Sequence, residues 1–242
     1  MIKILNDAEH LNRFAADKIV EIVDDSIDAN GKCAVALSGG RTPKALYQTL
    51  AGDEYNNKID WTKVFFFFGD ERNVLPDDSE SNYRMARENL LKPLRISETN
   101  VFRWKTEIKD AAQIAADYER AVKDFFSPSG DEFPKFDLVL LGMGDDGHTA
   151  SLFPQTKALS ETEKLVAANF VEKLNANRLT LTFRAINSAK NVLFLVAGAK
   201  KAPMIKKVLS TEAIDLPAGL IKPENGNCRW FLDGEAAGLI DV

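Results

Sequence analysis

Apolar, strand-like runs alternate with segments of helical periodicity along most of the chain. The run from Val64 to Phe68, VFFFF, is apolar at every position, so both of its faces should be covered, as in a central parallel strand. The same argument applies to Leu138 to Leu141 and to Val192 to Val196, and a further strand is predicted at Cys33 to Leu37. Arg178 to Phe183, RLTLTF, alternates instead, which predicts a strand with one more polar face. The alternation predicts an α/β fold with a mainly parallel central sheet and helices on both faces.

Three helices are predicted at Ser81 to Leu91, Asp110 to Phe126 and Lys200 to Leu209. Another helix is expected to begin near Asn6, whose side chain can cap it, with Glu9 three residues on as the partner in a capping box.

The length of 242 residues is compatible with one large domain, and residues 1–242 are predicted to form a single domain. Only Ser127 to Lys135, SPSGDEFPK, has the composition of a linker. Such a short connection fits a loop within a domain as well as a domain boundary.

The net charge limits the kinds of molecule that the protein is expected to bind. A formal net charge of −5 argues against non-specific binding to nucleic acid or to anionic membranes, which requires a broad basic surface. A small anionic ligand stays possible, because it needs only a few basic residues in one cleft.

Cys33 and Cys228 lie in apolar runs and are expected to be small buried residues rather than a disulfide framework. The N-terminal segment becomes polar too early for a signal peptide, and no apolar run reaches the ~18 residues of a membrane span, so a cytoplasmic location is expected.

The loops after the predicted strands carry the candidate chemistry, because ligands of open parallel sheets bind outside the carboxyl ends of the strands. In SGGRTP, Ser38 to Pro43, two glycines let the backbone turn sharply, and Thr42 followed by Pro43 predicts an N-cap and the first turn of a helix. Free amides at a helix N-terminus favour an anion such as phosphate. A tight turn before a well-capped helix is an equally good interpretation, and the segment matches neither GxGxxG nor the P-loop pattern.

The segment GDER, Gly69 to Arg72, directly follows VFFFF. Its carboxylates, Asp70 and Glu71, either pair with Arg72 to hold a loop or face a ligand, and both interpretations stay open. Arg72 is a candidate ligand for a phosphate or carbonyl oxygen, because a planar guanidinium binds such groups through paired hydrogen bonds.

Further basic residues lie near predicted strands. Arg178 begins RLTLT, and Lys200 and Lys201 follow the apolar run that ends at Val196. Each of them is either solvated or supplies positive charge that an acidic protein needs to hold a phosphate.

His148 is the strongest candidate for acid–base chemistry, since the chain has only two histidines. It lies in the glycine-rich segment GMGDDGHTASLFP, with Asp145 and Asp146 close by in sequence. A carboxylate can orient an imidazole and stabilise its protonated form, which suits a general base. The residues alone leave open which aspartate does so. One histidine and a nearby aspartate supply too few ligands for zinc, so a metal site is disfavoured.

Taken in order, SGGRTP, GDER with SNYRM, LGMGDDGHTASLFP, RLTLTF, and VAGAKKA with WFLDGEAA resemble the motifs of the 6-phosphogluconolactonase family from about Ser38 to Ala237. The resemblance implies a modified Rossmann-like fold and hydrolysis of 6-phospho-D-glucono-1,5-lactone in the pentose phosphate pathway, with no metal or organic cofactor. It implies His148 as general base with Asp146 as its support. The residues it implies for substrate and phosphate binding are Ser38, Gly39, Gly40, Thr42, Arg72, Arg178 and Lys200, whereas Arg41 stands where the family often has a smaller residue and is left unassigned.

Two alternatives stay open. A glucosamine-6-phosphate deaminase resembles this chain in its SGG-type loop and its histidine-containing glycine loop, but usually continues toward Phe, Asn and Glu, where this chain has Thr149 to Phe153. A sugar-phosphate-binding regulator would keep the pocket without the chemistry, against which the retention of Asp146 and His148 argues. The expected partner is a small-molecule sugar-phosphate lactone, with no nucleic acid and no membrane, and the chain is expected to be a monomer or a weak homo-oligomer.

Overall fold

The computed structural model describes residues 1–127, 133–210 and 215–240. The strands are β1 (Ile2–Leu5), β2 (Cys33–Leu37), β3 (Val64–Phe68), β4 (Asp70–Arg72), β5 (Leu138–Leu141), β6 (Val166–Val171), β7 (Ala176–Leu181), β8 (Asn191–Val196) and β9 (Asn227–Asp233). The α-helices are α1 (Ala8–Asn30), α2 (Arg41–Ala51), α3 (Asn82–Ala86), α4 (Ala111–Phe126), α5 (Phe183–Asn187) and α6 (Ala202–Val208). Short 3-10 turns lie at Trp61–Lys63, Glu98–Asn100, Lys157–Ser160, Glu172–Leu174, Ala199–Lys201 and Pro217–Leu220, and a π-helical turn at Arg87–Leu91.

The central sheet has six strands in the order β1-β9-β8-β5-β2-β3, and every neighbouring pair is parallel. All residues of β2 and β5 are buried, so both faces of the sheet are covered. The α/β fold with a parallel central sheet is therefore confirmed, as are the strands predicted at Val64–Phe68 and Leu138–Leu141. The uniform apolar runs predicted these strands well because burial on both faces removes the alternation of polar residues.

A second, smaller sheet has the antiparallel order β4-β7-β6. The alternating run RLTLTF contributes β7 to this sheet and not to the central one, and Phe183 already belongs to α5. The prediction of a loop at GDER was wrong, because Asp70–Arg72 forms β4 and pairs with β7. Gly69 makes the transition between the two sheets: its N–H donates to the Leu37 carbonyl at 2.9 Å, and its carbonyl accepts from the Leu181 N–H at 2.8 Å.

Two predicted helix caps differ from the structure. Helix α1 is capped by Asp7, whose carboxylate accepts the His10 N–H, so the prediction of Asn6 as cap was wrong by one residue. Helix α2 begins at Arg41 with Gly40 as its N-cap, which places Thr42 inside the first turn and makes the prediction of Thr42 as N-cap wrong. Gly40 has φ of 109°, a conformation that residues with a Cβ rarely adopt, and this turn starts the helix earlier than the side chains suggest.

The other helix predictions hold with small changes at their ends. Asp110 caps α4 by accepting the N–H groups of Ala112 and Gln113. Ser81 caps α3, and the helical segment predicted there continues through the π-helical turn to Leu91. The segment predicted from Lys200 is a 3-10 turn followed by α6.

Two buried tyrosines complete the hydrogen bonding at the carboxyl ends of neighbouring strands. The hydroxyl of Tyr47, on α2, accepts the Ser38 N–H at 3.0 Å and donates to the Ser38 carbonyl at 2.8 Å. The hydroxyl of Tyr118, on α4, does the same for Phe68, at 2.8 Å and 3.0 Å. Because buried backbone groups need partners, these hydroxyls allow the β2 and β3 ladders to stop without an unpaired group and fix where the next loops begin.

The remaining sequence expectations concern the cysteines, membranes and domains. Cys33 is buried and Cys228 only partly so, because the first residues of β9 are near the surface; both are free thiols. Among the described residues, no helix combines the length and apolarity that crossing a membrane would require. Of the linker-like segment, residues 128–132 lie outside the described residues. Both sheets contribute to one cluster of buried apolar side chains, and the extent of a single domain over residues 1–242 stays a prediction.

Candidate active site

Two adjoining clefts open where the central sheet meets the smaller sheet. The first, of about 630 Å³, lies at the carboxyl ends of β2, β5 and β8. The second, of about 500 Å³, lies beside β4 and β7. Among the residues expected to form the site, Ser38, Gly39, Gly40, Thr42, Arg72 and His148 line the first cleft, and Arg72, Asp146, His148 and Arg178 line the second. The fold therefore brings all of the predicted site residues except Lys200 to one region, and His148 faces both clefts.

His148 is held by the carboxylate of Asp146. Its ring Nδ1 lies 2.5 Å from Asp146 Oδ1, and its backbone N–H donates to the same oxygen at 3.1 Å. Because a carboxylate accepts hydrogen bonds, Nδ1 carries the proton and Nε2 is left as the basic nitrogen. Asp145 points elsewhere and pairs with Lys201 at 2.6 Å. The geometry thus brings Asp146, and not Asp145, to the imidazole.

The imidazole packs between a glycine and an aromatic ring. The ring centroids of His148 and Phe153 are 4.0 Å apart with an angle of 30° between the planes. A Cβ at Gly144 would lie 2.1 Å from His148 Nδ1, so the imidazole occupies the space that any side chain at position 144 would need. The Gly144 N–H donates to the His148 carbonyl at 2.8 Å, which closes the loop around this contact.

His148 is uncharged at neutral pH. Its burial lowers the pKa of the imidazole to about 4, and the positive charges of Lys201 and Arg72 act in the same direction. The carboxylates of Asp70 and Asp145 oppose this shift but do not overcome it. An imidazole that is neutral above pH of about 4 can accept a proton, as a general base must.

The two carboxylates of β4 have different surroundings, and the structure contains no ion pair between either of them and Arg72 among the described residues. Glu71 is buried and accepts the backbone N–H groups of Asn82 at 2.7 Å and Tyr83 at 2.8 Å, so it holds the start of α3. Its burial raises the pKa of Glu71. Asp70 accepts from the Ser151 hydroxyl at 2.7 Å and lines both clefts. Of the two interpretations of these carboxylates, the loop-holding one fits Glu71 and the cleft-facing one fits Asp70.

Arg72 and Arg178 form a pair of neighbouring guanidinium groups. They stand directly opposite each other in the antiparallel pairing of β4 and β7. Burial lowers the pKa of Arg178, and the positive charge of Arg72 adds to this effect. Arg72 Nη1 donates to the Glu80 carbonyl at 2.6 Å. Among the described residues neither guanidinium forms an ion pair with a carboxylate, and two neighbouring cations in this state favour the binding of an anion.

Asn82 also lines the first cleft, but its position in the SNYRM motif does not reveal this. Its Nδ2 donates to the Asp70 carbonyl at 3.0 Å and to Asp70 Oδ1 at 3.1 Å. A Cβ at Gly39 would lie 1.8 Å from Asn82 Oδ1, so the SGG loop passes directly over this amide. Asn82 therefore links the SGG loop to β4 beside the first cleft.

The lysines after β8 also differ from expectation in their positions. Lys200 is exposed and lines neither cleft, whereas Lys201 lines the first cleft and pairs with Asp145. Gly198, with φ of 96°, starts the 3-10 turn that directs these side chains, and its N–H donates to both oxygens of Asp233 at 3.1 and 3.0 Å. The adjacency of the two lysines in sequence gave no indication of which one faces inward.

Within residues 1–127, 133–210 and 215–240, no three His, Cys, Asp or Glu side chains converge in a way that could hold a metal ion.

The fold and the clefts define an α/β protein with a carboxylate-bound histidine at the carboxyl edge of a parallel sheet. Residues 6–230 match the family described as glucosamine-6-phosphate isomerases/6-phosphogluconolactonase, and the chain belongs to this family. A 6-phosphogluconolactonase of Nostoc sp. is 40% identical over 243 residues, covering 100% of this chain and 98% of the relative. The solved 6-phosphogluconolactonase from Trypanosoma cruzi has a TM-score of 0.89 and 32% identity, covering 100% of this chain and 97% of that one.

A further solved structure is also similar. It is described as a monomeric glucosamine-6-phosphate deaminase, with a TM-score of 0.81 and 21% identity, and each chain is covered to 99%. At this level of identity the likeness shows a shared fold alone.

Replacing Gly144 with Ala should displace the imidazole of His148, because the added methyl group would occupy its space. We expect the histidine ring resonances of His148 in NMR spectra to shift and any reaction that depends on this imidazole to slow by about tenfold or more, as loss of a positioned base implies. Gly142→Ala is the matched control, since a Cβ there meets nothing within 4 Å. His148 resonances that are equally unperturbed in both variants would contradict the prediction.

Proposed function

We propose that this chain hydrolyses 6-phospho-D-glucono-1,5-lactone to 6-phosphogluconate, with His148 as the general base. The observation that carries the proposal is a neutral imidazole, bound through Nδ1 to Asp146, in a cleft that also presents the guanidinium groups of Arg72 and Arg178. Membership of the family and the names of the relatives support the same reaction.

In the proposed mechanism, His148 Nε2 removes a proton from a water molecule as the water oxygen attacks the lactone carbonyl carbon. A tetrahedral intermediate forms with negative charge on the former carbonyl oxygen. The imidazolium then gives its proton to the ring oxygen while the bond between that oxygen and the carbonyl carbon breaks. Asp146 stabilises the imidazolium and holds its orientation. The product carboxylic acid ionises, so one proton is released for each lactone opened.

Hydrogen-bond donors at the carbonyl oxygen would contribute a further factor of about 100 to 1000 to the rate. The amides of Gly144 and Gly147 already donate within their loop, to the carbonyls of His148 and Gly144, and are not free for this role. The amides of Gly39 and Gly40 and the side chain of Arg72 are the better candidates.

The substrate phosphate and hydroxyl groups would be bound by two surfaces. Ser38, Gly39, Gly40 and Thr42 line the first cleft at the N-terminus of α2, where backbone amides favour an anion. Arg72 and Arg178 supply positive charge on the β4 and β7 side. The role of Lys200 stays a prediction, and the position of Lys201 makes it the more favourable lysine. A cytoplasmic location, the absence of a cofactor and a monomer or weak homo-oligomer also stay predictions.

The second candidate function is deamination of glucosamine 6-phosphate, because the description of the matching family names glucosamine-6-phosphate isomerases as well as 6-phosphogluconolactonase. A third candidate, binding of a sugar phosphate without turnover, requires only the two clefts.

The segment after His148 packs its loop against β4. Thr149 donates to the Gly142 carbonyl at 2.8 Å, and Ser151 donates to Asp70 at 2.7 Å.

Proton release on adding freshly generated 6-phosphogluconolactone should exceed the spontaneous rate and scale with the amount of protein. Ammonia release from glucosamine 6-phosphate, measured with the same preparation, should stay at background. Rapid ammonia release would replace the lactonase proposal with the deaminase, and tight binding of 6-phosphogluconate without catalysis would replace it with the binding protein.

Replacing His148 with Ala should lower kcat for lactone hydrolysis by about 100-fold or more, because the water loses its base. In the unsubstituted protein, kcat/KM should fall as the pH is lowered toward about 4, where the imidazole becomes protonated. His10→Ala is the matched control, since His10 is exposed, pairs with Asp7 and lines neither cleft. Equal turnover of the two variants would remove His148 from the mechanism.

Replacing Arg178 with Ala should mainly raise KM, because uniform binding of the phosphate is lost while the base is retained. Lys200→Ala and Lys201→Ala, compared side by side, identify which lysine contributes to binding. Arg184→Ala serves as the control, because Arg184 is exposed on α5 and donates to the Thr162 carbonyl. If Arg178→Ala has the kinetics of Arg184→Ala, Arg178 is not a phosphate ligand.

A further inference from the structure

The carboxylate of Asp146 has a second partner besides the histidine. Oδ1 receives the His148 ring, while Oδ2 contacts the ammonium group of Lys173. Lys173 lies in the 3-10 turn Glu172–Leu174, at the tip of the hairpin that joins β6 and β7. A charged side chain of the smaller sheet, Lys173, thus contacts the loop that carries His148.

The ring of Phe153 contacts both His148 and Lys173. Its ring stacks on His148 at 4.0 Å, and Lys173 Nζ lies 4.7 Å from the centroid of the same ring. Phe153 is only 6% exposed, so its ring is a fixed support. An ammonium group over an aromatic face is attracted to it, which favours the position in which Lys173 also reaches Asp146.

We propose that Lys173 is a positioning residue that shares the charge of Asp146 with His148 and thereby weakens the stabilisation that this carboxylate gives to a protonated imidazole. The consequence for catalysis rests on the proposed function, whereas the coupling of Lys173, Asp146 and His148 does not. The expected effect is moderate, because the Lys173 side chain is half exposed and its charge is partly screened by water.

The direction of the effect follows from the charges that face His148. They are Asp145 and Asp146 on its own loop, Asp70 and Arg72 on β4, Arg178 on β7, Lys173 on the hairpin and Lys201 after β8, and Arg41, Asp233 and Glu235 also line the first cleft. Of these groups, Lys173 is the cation that contacts Asp146. Without the charge of Lys173, the carboxylate of Asp146 acts on the imidazole alone, which stabilises the imidazolium and raises the pH at which His148 titrates.

An NMR titration of the histidine rings measures this coupling without reference to any activity. The chain has two histidines, so only two sets of imidazole signals need to be assigned, and His10→Gln identifies them. In Lys173→Gln the titration midpoint of His148 should rise by about 0.5 to 1 pH unit. Lys173→Arg, which keeps the charge, should restore the midpoint of the unsubstituted protein.

Lys32→Gln is the matched control. Lys32 Nζ lies 4.2 Å from the Phe125 centroid, so this substitution removes the same charge from the face of an aromatic ring at another place. Its His148 midpoint should equal that of the unsubstituted protein. An unchanged or lowered midpoint in Lys173→Gln would overturn the proposal, as would an equal rise in Lys32→Gln.

The pH dependence of lactone hydrolysis then separates the coupling from the proposed function. If His148 is the base, the acid limb of kcat/KM in Lys173→Gln should move upward with the NMR midpoint. A shifted midpoint with an unshifted rate profile would support the coupling and exclude His148 as the base that limits the rate.

Discussion

The site depends on the hydrogen bond between His148 Nδ1 and Asp146 Oδ1. This bond fixes which ring nitrogen is protonated, and so which one can accept a proton from a bound molecule. Its geometry is possible only because position 144 has no side chain, which leaves room for the imidazole. Phe153 stacks on the His148 ring and restricts its movement from another side. Gly144, Asp146 and Phe153 of the glycine-rich loop therefore act together to position one ring.

A loop that must hold such a geometry requires firm support, and this support comes from buried polar groups at the strand ends. Tyr47 and Tyr118 each satisfy an N–H and a carbonyl where a ladder stops. Glu71 plays a comparable part at the start of α3, where its carboxylate receives backbone N–H groups. Because an unpaired buried polar group costs about 1–3 kcal/mol, alternative loop positions that break these bonds are disfavoured. The clefts are in this sense preformed.

The sequence was most informative where contacts are local or where burial is uniform. The central strands could be predicted because runs such as VFFFF are covered on both faces, and the proximity of Asp146 to His148 follows from their spacing of two residues. The conformation of Gly40 was not visible in side-chain preferences, so the start of α2 was misplaced.

Hydrophobic runs and local spacing could not predict contacts between segments that are distant in the sequence. Arg72 and Arg178 are more than a hundred residues apart in the chain, and only the register of β4 on β7 brings them together. The contact between Lys173 and Asp146 likewise depends on the hairpin of the smaller sheet. A short strand such as Asp70–Arg72, with three charged residues, lacks the apolar pattern by which strands are recognised.

The division of charge between the two sides of His148 explains how an acidic protein can offer both a base and an anion site. Burial keeps the imidazole neutral, while Arg72 and Arg178 concentrate positive charge within the same cleft. These cations also disfavour an imidazolium next to them, so a site that attracts a phosphate tends to weaken the base beside it. Asp146 counters that tendency by direct contact, and Asp70 does so from across the clefts. In the proposed reaction the carboxylates near His148 thus offset the cations that would bind the anion, and both sets are needed.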